Sequence, residues 1–449
     1  MNIDRLVEVI QKHRNDEAII YNDTVYLYED LLGRVDLWKQ HLKANEVTPG
    51  TVVSLIGDYS PEAVTLIIAL ILNRNIVVPL SPSSQTHFAE YFNIARVQYV
   101  MDLTKDSRSF EIRPEEPLRN DIFRDLIQSG RSGLILFTSG SSGRPKAVAH
   151  DFDRLLSKFL NATKRYRTLC FLMFDHIAGI DTYFYILYSG GTAVFPSSRQ
   201  PGDICEAIER YRVEILPTSP TFLNLLLLSE AYKRYDLSSL EMITFGSERM
   251  PESLVPRLQE ILSGVKLIQK YGITELGAPP SKTRPSDATW IKMDSDRFRT
   301  RVVDGVLQVK AETAMLGYLN ASSPFTEDGW FNTGDSVEID GDYIKILGRT
   351  SDIINVGGEK VYPADVENVI EEMENVKEAT VFPEKNPLIG NLVCAKVTLF
   401  CDEDQNSFSM RLKKHCMKRL ESYKVPVKIE IVNESQHTDR FKKIRKMNG

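Results

Sequence analysis

Three consecutive segments, Val52 to Ile56, Pro61 to Leu72 and Ile76 to Leu80, fix an order that few folds satisfy. The first and last are short runs of Val, Ile and Leu bounded by turn residues, as in strands covered on both faces. Between them lies an apolar stretch opened by Pro61, which suits the first turn of a helix because the N–H it lacks has no partner there. Strand, helix and strand in that order predict a right-handed crossover between parallel neighbours. The alternation resumes through Thr192 to Phe195, Ile204 to Tyr211, Glu214 to Leu216, Pro220 to Tyr232 and Met242 to Phe245. The expected class is therefore α/β, with a doubly wound, largely parallel sheet. Ahead of it, Ile3 to His13 carries apolar residues at helical spacing, and Ala18 to Tyr21 and Val25 to Tyr28 read as short strands around an Asn22-Asp23 turn.

A chain of 449 residues exceeds what one hydrophobic core holds, so at least two domains are expected. Around Val302 to Lys310 the pattern changes to short alternating segments with turns, as in a small β-rich subdomain. After Arg349 small helices and strands return: Pro363 to Met373, Glu378 to Phe382, Leu392 to Phe400, Ser407 to Leu420 and Val427 to Val432. The division expected is a large unit over residues 1–349 and a smaller α+β unit over 350–449. A net charge of −6 gives no electrostatic reason to expect a nucleic-acid partner, the basic run from Lys442 to Lys446 being the local exception. The five cysteines form no C-x-x-C pair, which argues against a zinc site or disulfide scaffold and fits a reducing cytoplasm. The start lacks a signal-peptide pattern, and the longest apolar run, Ala63 to Leu72, is too short to span a bilayer.

The chemistry concentrates in one stretch. The apolar run Leu134 to Phe137 ends in Thr138-Ser139-Gly140-Ser141-Ser142-Gly143, closed by Lys146. Gly140 and Gly143 allow backbone N–H groups to turn inward, the hydroxyls of Thr138, Ser139, Ser141 and Ser142 add donors, and Lys146 adds charge, so the loop suits a polyphosphate. It is not a Walker loop, whose lysine precedes Ser or Thr.

The segment from Phe137 to Lys146 closely resembles the phosphate-loop signature of the adenylate-forming superfamily: acyl- and aryl-CoA synthetases, adenylation domains of nonribosomal peptide synthetases and firefly-type luciferases. Further motifs follow in that family's order. Tyr271-Gly272-Ile273-Thr274-Glu275 resembles its YG-x-TE; the resemblance implies that Tyr271 stacks on adenine, Thr274 touches the α-phosphate and Glu275 holds Mg²⁺. Gly246, Ser247 and Glu248 resemble the segment beside the adenine and the acyl pocket. Gly329 to Asp335 resembles G-W-x-x-T-G-D, making Asp335 the ribose reader and Arg349 a second ribose contact. The hinge segment after Arg349 departs in one respect, with Ser351 where the family usually has Asp or Lys, and Gly357-Gly358 reads either as tunnel wall for a pantetheine arm or as a turn.

Near the C-terminus, Thr438 to Arg445 resembles T-x-x-G-K-I-x-R. Counting from Thr438 makes Lys442 the catalytic lysine; pairing lysine with the following isoleucine makes it Lys443, the preferred reading. Phe174 to Ile180 resembles the H-x-x-G segment of acyl- and aryl-CoA synthetases, with His176 at the carboxylate gate and Gly179 behind it. Asp175 aligns alternatively with the aspartate that binds an α-ammonium in amino-acid-activating relatives. The family reading implies ATP and Mg²⁺, a small carboxylic acid substrate, release of pyrophosphate, and transfer of the acyl group to CoA or to a phosphopantetheinyl carrier protein. An amino-acid-adenylating enzyme serving a separate carrier, and a catalytically degenerate ATP-binding regulator, stand as the alternatives.

Overall fold

The computed structural model describes residues 2–105, 110–113, 120–139, 144–251, 254–285, 287–293, 297–434, 436–438 and 443. Among these the chain forms four sheets. In the first, Val52–Ile56 lies between Ile76–Leu80 and Tyr99–Asp102, all parallel, and Ile76–Leu80 pairs onward with Gly133–Ser139. The helix between the first two, Pro61–Leu72, has Pro61 at its first turn and Ser60 accepting the N–H of Ala63 as a cap. Almost all of its residues are buried, as its unbroken apolar composition requires.

The second sheet runs Lys266–Gln269, Met242–Phe245, Ile215–Thr218, Arg167–Leu169 and Thr192–Val194 in parallel, then Glu17–Tyr21. Thr24–Leu27 closes its edge as an antiparallel hairpin, and Asn22 and Asp23 in the turn both have positive φ, as a tight turn between twisted strands demands. Tyr28, which sequence reading gives to a strand, is instead the first residue of the helix Tyr28–Ala44.

The apolar run Leu134 to Phe137 lies in the strand Gly133–Ser139, which has a second partner besides Ile76–Leu80. Gly133–Ser139 pairs antiparallel with Pro145–Asp151, Thr138 opposite Lys146, so the loop joins the arms of a hairpin. The β-rich part begins earlier than Val302: Ser281–Arg284 and Asp287–Met293 already belong to an antiparallel sheet with Tyr343–Arg349, Phe331–Asp340, Val306–Ala311 and Phe298–Val303.

The fourth sheet and the helices Pro363–Glu371 and Gln405–Met417 enclose a hydrophobic cluster of their own, from Ile354 to Ile429. No described helix is long and apolar enough to cross a membrane.

One buried ion pair locks the large unit together. Lys158 Nζ donates to Asp181 Oδ2 at 2.6 Å, both side chains being buried. The same oxygen accepts the N–H of Ala278 at 3.0 Å, tying the helix Ile177–Ser189 to the chain just past residue 275. Losing one member leaves a buried charge uncompensated. Asp181→Ala is therefore expected to lower the unfolding free energy by about 3–5 kcal/mol, and the double change Lys158→Met with Asp181→Leu to recover much of that loss, read by urea denaturation.

Candidate active site

Lys146 projects from the hairpin with its Nζ 5.0 Å from the centre of the Tyr318 ring. Gly317–Tyr318 is held there as a short edge strand beside Val148 and Ala149, and Asn320 bonds Ala147 N–H and Pro145 O. The Tyr318 hydroxyl donates to Glu275 Oε1 at 2.7 Å. Burial first, then the charge of Glu275, push this phenol far above its ordinary range, so it remains a donor. Lys146, Tyr318 and Glu275 thus form a contiguous row of cation, hydroxyl and carboxylate. Thr138 sits opposite Lys146. Gly140, Ser141, Ser142 and Gly143 lie outside the described residues, as does the side chain of Ser139.

The Thr274-Glu275 turn is clamped from behind. His150 Nε2 lies 2.7 Å from Thr274 O, Met315 N–H donates to Glu275 O at 2.7 Å, and Thr313 Oγ1 donates to Leu276 O at 2.6 Å. His150 is almost wholly buried, and that burial pushes its pKa down to about 4. It is therefore neutral, with the hydrogen on Nε2 directed at the carbonyl.

At the other end, Asp335 is buried. Its Oδ2 accepts from the Tyr271 hydroxyl at 2.7 Å and its Oδ1 faces Arg349 Nε at 2.9 Å. Burial raises this carboxyl, and the guanidinium pulls it back toward ionisation. Asp335 and Arg349 sit directly opposite each other on neighbouring strands, which explains why residues fourteen apart in sequence meet. Gly246 follows the strand Met242–Phe245 at a point where a Cβ would lie 2.5 Å from the Lys270 carbonyl oxygen, so only glycine fits; Ser247 takes a left-handed conformation, and Gly272 packs beside Ala278.

The acyl-pocket candidates are more heavily committed to the fold. Asp175 is buried, with Oδ2 accepting the N–H of Ser81 at 3.3 Å and Oδ1 lying 3.8 Å from His176 Nε2. His176 occupies the cap position of the helix Ile177–Ser189. In that helix a Cβ at Gly179 would fall 2.0 Å from the Met173 carbonyl oxygen, and Gly179 O accepts the Tyr59 hydroxyl at 2.9 Å. Close packing alone thus requires glycine at 179.

Glu248 and Lys443 turn out to be partners across the two units. The backbone N–H of Lys443 donates to Glu248 Oε1 at 2.8 Å, while Glu248 Oε2 accepts from Thr221. The Lys443 amine is engaged elsewhere: it donates to Glu371 Oε1 at 2.6 Å and Ala379 O at 3.0 Å, with Glu367 Oε2 at 3.5 Å. Beside this contact Arg249 pairs with Asp365. Lys442 lies outside the described residues.

The profile of the AMP-binding enzyme family matches residues 6–291, and that of the AMP-binding enzyme C-terminal domain matches 365–442. The chain belongs to this family, the adenylate-forming enzymes, and the relatives that follow are named as CoA ligases. Indoleacetate–CoA ligase of Aromatoleum aromaticum is 26% identical over 98% of this chain and 96% of its own length. 2-Succinylbenzoate–CoA ligase of Bacillus subtilis is 26% identical over 93% of this chain and 91% of its own. Among solved structures, the anthranilate CoA ligase AuaEII in complex with anthranoyl-AMP superposes with a TM-score of 0.81 at 21% identity, covering 98% of this chain and 95% of the other. The o-succinylbenzoate CoA synthetase of Bacillus subtilis, in complex with its acyl-adenylate, gives 0.80 at 22%, covering 98% and 96%; these two likenesses speak to the fold.

Sequence reading missed four residues that form or support the site. Tyr318 lies in no motif, and a lone tyrosine gives no signal of a carboxylate partner. Lys158 and Asp181 are separated by a strand and a loop. His150 was visible as a histidine close behind the phosphate loop, but its target at Thr274 is 124 positions away.

His150 generates a pH prediction. The unfolded chain takes up a proton there near pH 6.5, whereas the folded protein resists until about pH 4. Stability from this group is therefore full above 6.5 and lost as pH falls through that window, amounting to about 3 kcal/mol at most. His150→Gln keeps a donor for Thr274 and removes the titration, so its unfolding free energy by urea denaturation should fall less steeply between pH 6.5 and 4 than that of the wild type.

Proposed function

We propose that the chain activates a carboxylic acid lacking an α-amino group: one acid oxygen attacks the α-phosphorus of ATP in line, pyrophosphate leaves, and the acyl-adenylate is then transferred to the thiol of CoA. The observation that carries this reading is the single connected set of polar groups running from Lys146 through Tyr318 and Glu275 to the turn at Thr274, with Tyr271, Asp335 and Arg349 beyond it. Those groups supply, in order, charge for a polyphosphate, a hard oxygen for a metal, and a carboxylate with a guanidinium for a ribose diol.

Both reactants are anions, so catalysis consists mainly of orienting them and offsetting their charge. Thr138 and Lys146, with the glycines and serines of residues 139–143, would hold the β- and γ-phosphates. Thr274 would donate to the α-phosphate, while Tyr271 and the Gly246-Ser247 turn flank the base. No described cluster of three His, Cys, Asp or Glu could hold a metal alone, so Mg²⁺ fits Glu275 only with phosphate oxygens completing its shell, where it would offset phosphate charge.

Lys442 is assigned as the lysine that bridges carboxylate and α-phosphate. What supports it over Lys443 is that the Lys443 amine is already bound between Glu371 and the Ala379 carbonyl. Rotation of the smaller unit about residues 349–352 would then exchange this lysine for the thiol. CoA is favoured as the acceptor by the relatives, which are CoA ligases. Aryl and arylalkyl acids are the first candidates, from the names indoleacetate–CoA ligase, 2-succinylbenzoate–CoA ligase and feruloyl-CoA synthase. An α-ammonium site at Asp175 gains no support, because that carboxylate is buried and already accepts from Ser81.

ATP–pyrophosphate exchange over a panel of aryl, fatty, small aliphatic and amino acids tests the proposal. Exchange is expected with aryl or other unaminated acids; exchange confined to amino acids would overturn the substrate reading, and silence across the panel with ATP bound would favour a degenerate regulator. Lys442→Ala should reduce exchange by about a hundredfold or more while leaving thiolysis of supplied acyl-adenylate largely intact.

A further inference from the structure

Lys443 holds an unusual position for a lysine near a chain end. Its side chain is only 16% exposed and reaches Glu371 and, less closely, Glu367, whose own side chain is almost fully buried. Both glutamates lie on the helix Pro363–Glu371 and are already joined to the neighbouring strand: Glu367 Oε1 accepts from Val381 N–H at 3.0 Å, and Glu371 Oε1 from Ala379 N–H at 3.3 Å. Two carboxylates buried this close need a cation. Burial raises the Glu371 carboxyl, Glu367 raises it further, and Lys443 opposes both.

The segment carrying this lysine is fastened at several other points. Lys443 bridges antiparallel to His437, His437 Nδ1 lies 3.0 Å from Glu378 Oε1, and Gln436 N–H donates to Glu378 Oε2 at 3.3 Å. On its other side the Lys443 N–H reaches Glu248 of the large unit, at the turn that follows Gly246 and Ser247.

We propose that Lys443 is a positioning residue: its ion pairing with Glu371 and Glu367 anchors the C-terminal segment so that the adjacent catalytic lysine is presented to the reacting phosphate. Lys442 is the covalent neighbour of Lys443, so anchoring the one restricts where the other can reach. This rests on the assignment of catalysis to Lys442 and adds how that lysine is held.

The experiment compares Lys443→Met, the triple variant Lys443→Met/Glu367→Gln/Glu371→Gln and Lys442→Ala in two assays: ATP–pyrophosphate exchange and CoA-dependent thiolysis of supplied acyl-adenylate. Lys443→Met is expected to reduce the kcat of exchange on the order of a hundredfold, the scale of a misplaced catalytic group, with thiolysis retained. The triple variant should recover most of the lost exchange, because no carboxylate is left without its cation. A Lys443 that acted chemically could not be rescued by removing glutamates, so failure of the rescue with thiolysis intact overturns the proposal. Wild-type exchange in Lys443→Met overturns it too. Loss of both reactions together would assign the pair merely to holding the small unit folded, again against the proposal. Lys442→Ala separates the underlying reading: normal exchange in that variant rejects the catalytic assignment whatever happens at 443.

Discussion

The buried carboxylate of Asp335 is the constraint on which the rest of the architecture turns. A carboxylate removed from water is costly unless its oxygens are satisfied, and here one takes the Tyr271 hydroxyl and the other the Arg349 guanidinium. Those partners come from different parts of the molecule. Tyr271 follows the edge strand Lys266–Gln269 of a parallel sheet, while Asp335 and Arg349 face each other in the antiparallel sheet. Satisfying one carboxylate thus fixes how two sheets meet, at the point where the chain passes into the C-terminal unit.

The remaining polar groups extend that junction without interruption. Pairing of Gly317–Tyr318 with the arm of the phosphate hairpin carries Tyr318 to Glu275, and buried His150 on the same arm holds the carbonyl of Thr274. Behind the turn, Lys158 and Asp181 secure Ala278. Groups held this way are preorganised: their donors and charges are already directed by buried bonds, so little reorganisation would accompany the proposed reaction. The C-terminal unit meets the same region through Glu248 with Lys443 and Arg249 with Asp365.

Much of the fold was readable from residue patterns because its strands are buried on both faces. Val52–Ile56, Pro61–Leu72, Ile76–Leu80 and Met242–Phe245 begin and end where their composition changes. The second arm of the phosphate hairpin was not readable, since Pro145, Lys146, His150 and Asp151 break any apolar run and their partners lie across the sheet. The helix Tyr28–Ala44 was hidden at its start, because Tyr28 continues the apolar run of the preceding strand. In the site, local motifs brought Tyr271, Glu275, Asp335 and Arg349 to notice. What no local pattern disclosed were the pairings that depend on distant burial: Tyr318 with Glu275, His150 with Thr274, and Lys443 with Glu371. A lysine in a basic tail reads as solvated; only the folded chain reveals two glutamates beside it, 72 and 76 positions earlier.

The most direct measurement of the central claim is the identity of what the purified protein makes from ATP, Mg²⁺ and an aryl acid when no thiol is present, followed by mass spectrometry before and after CoA is added. The account requires an acyl-adenylate retained at up to one per chain with pyrophosphate released, then AMP and acyl-CoA once the thiol arrives. Formation of ADP with orthophosphate or an acyl phosphate would contradict it.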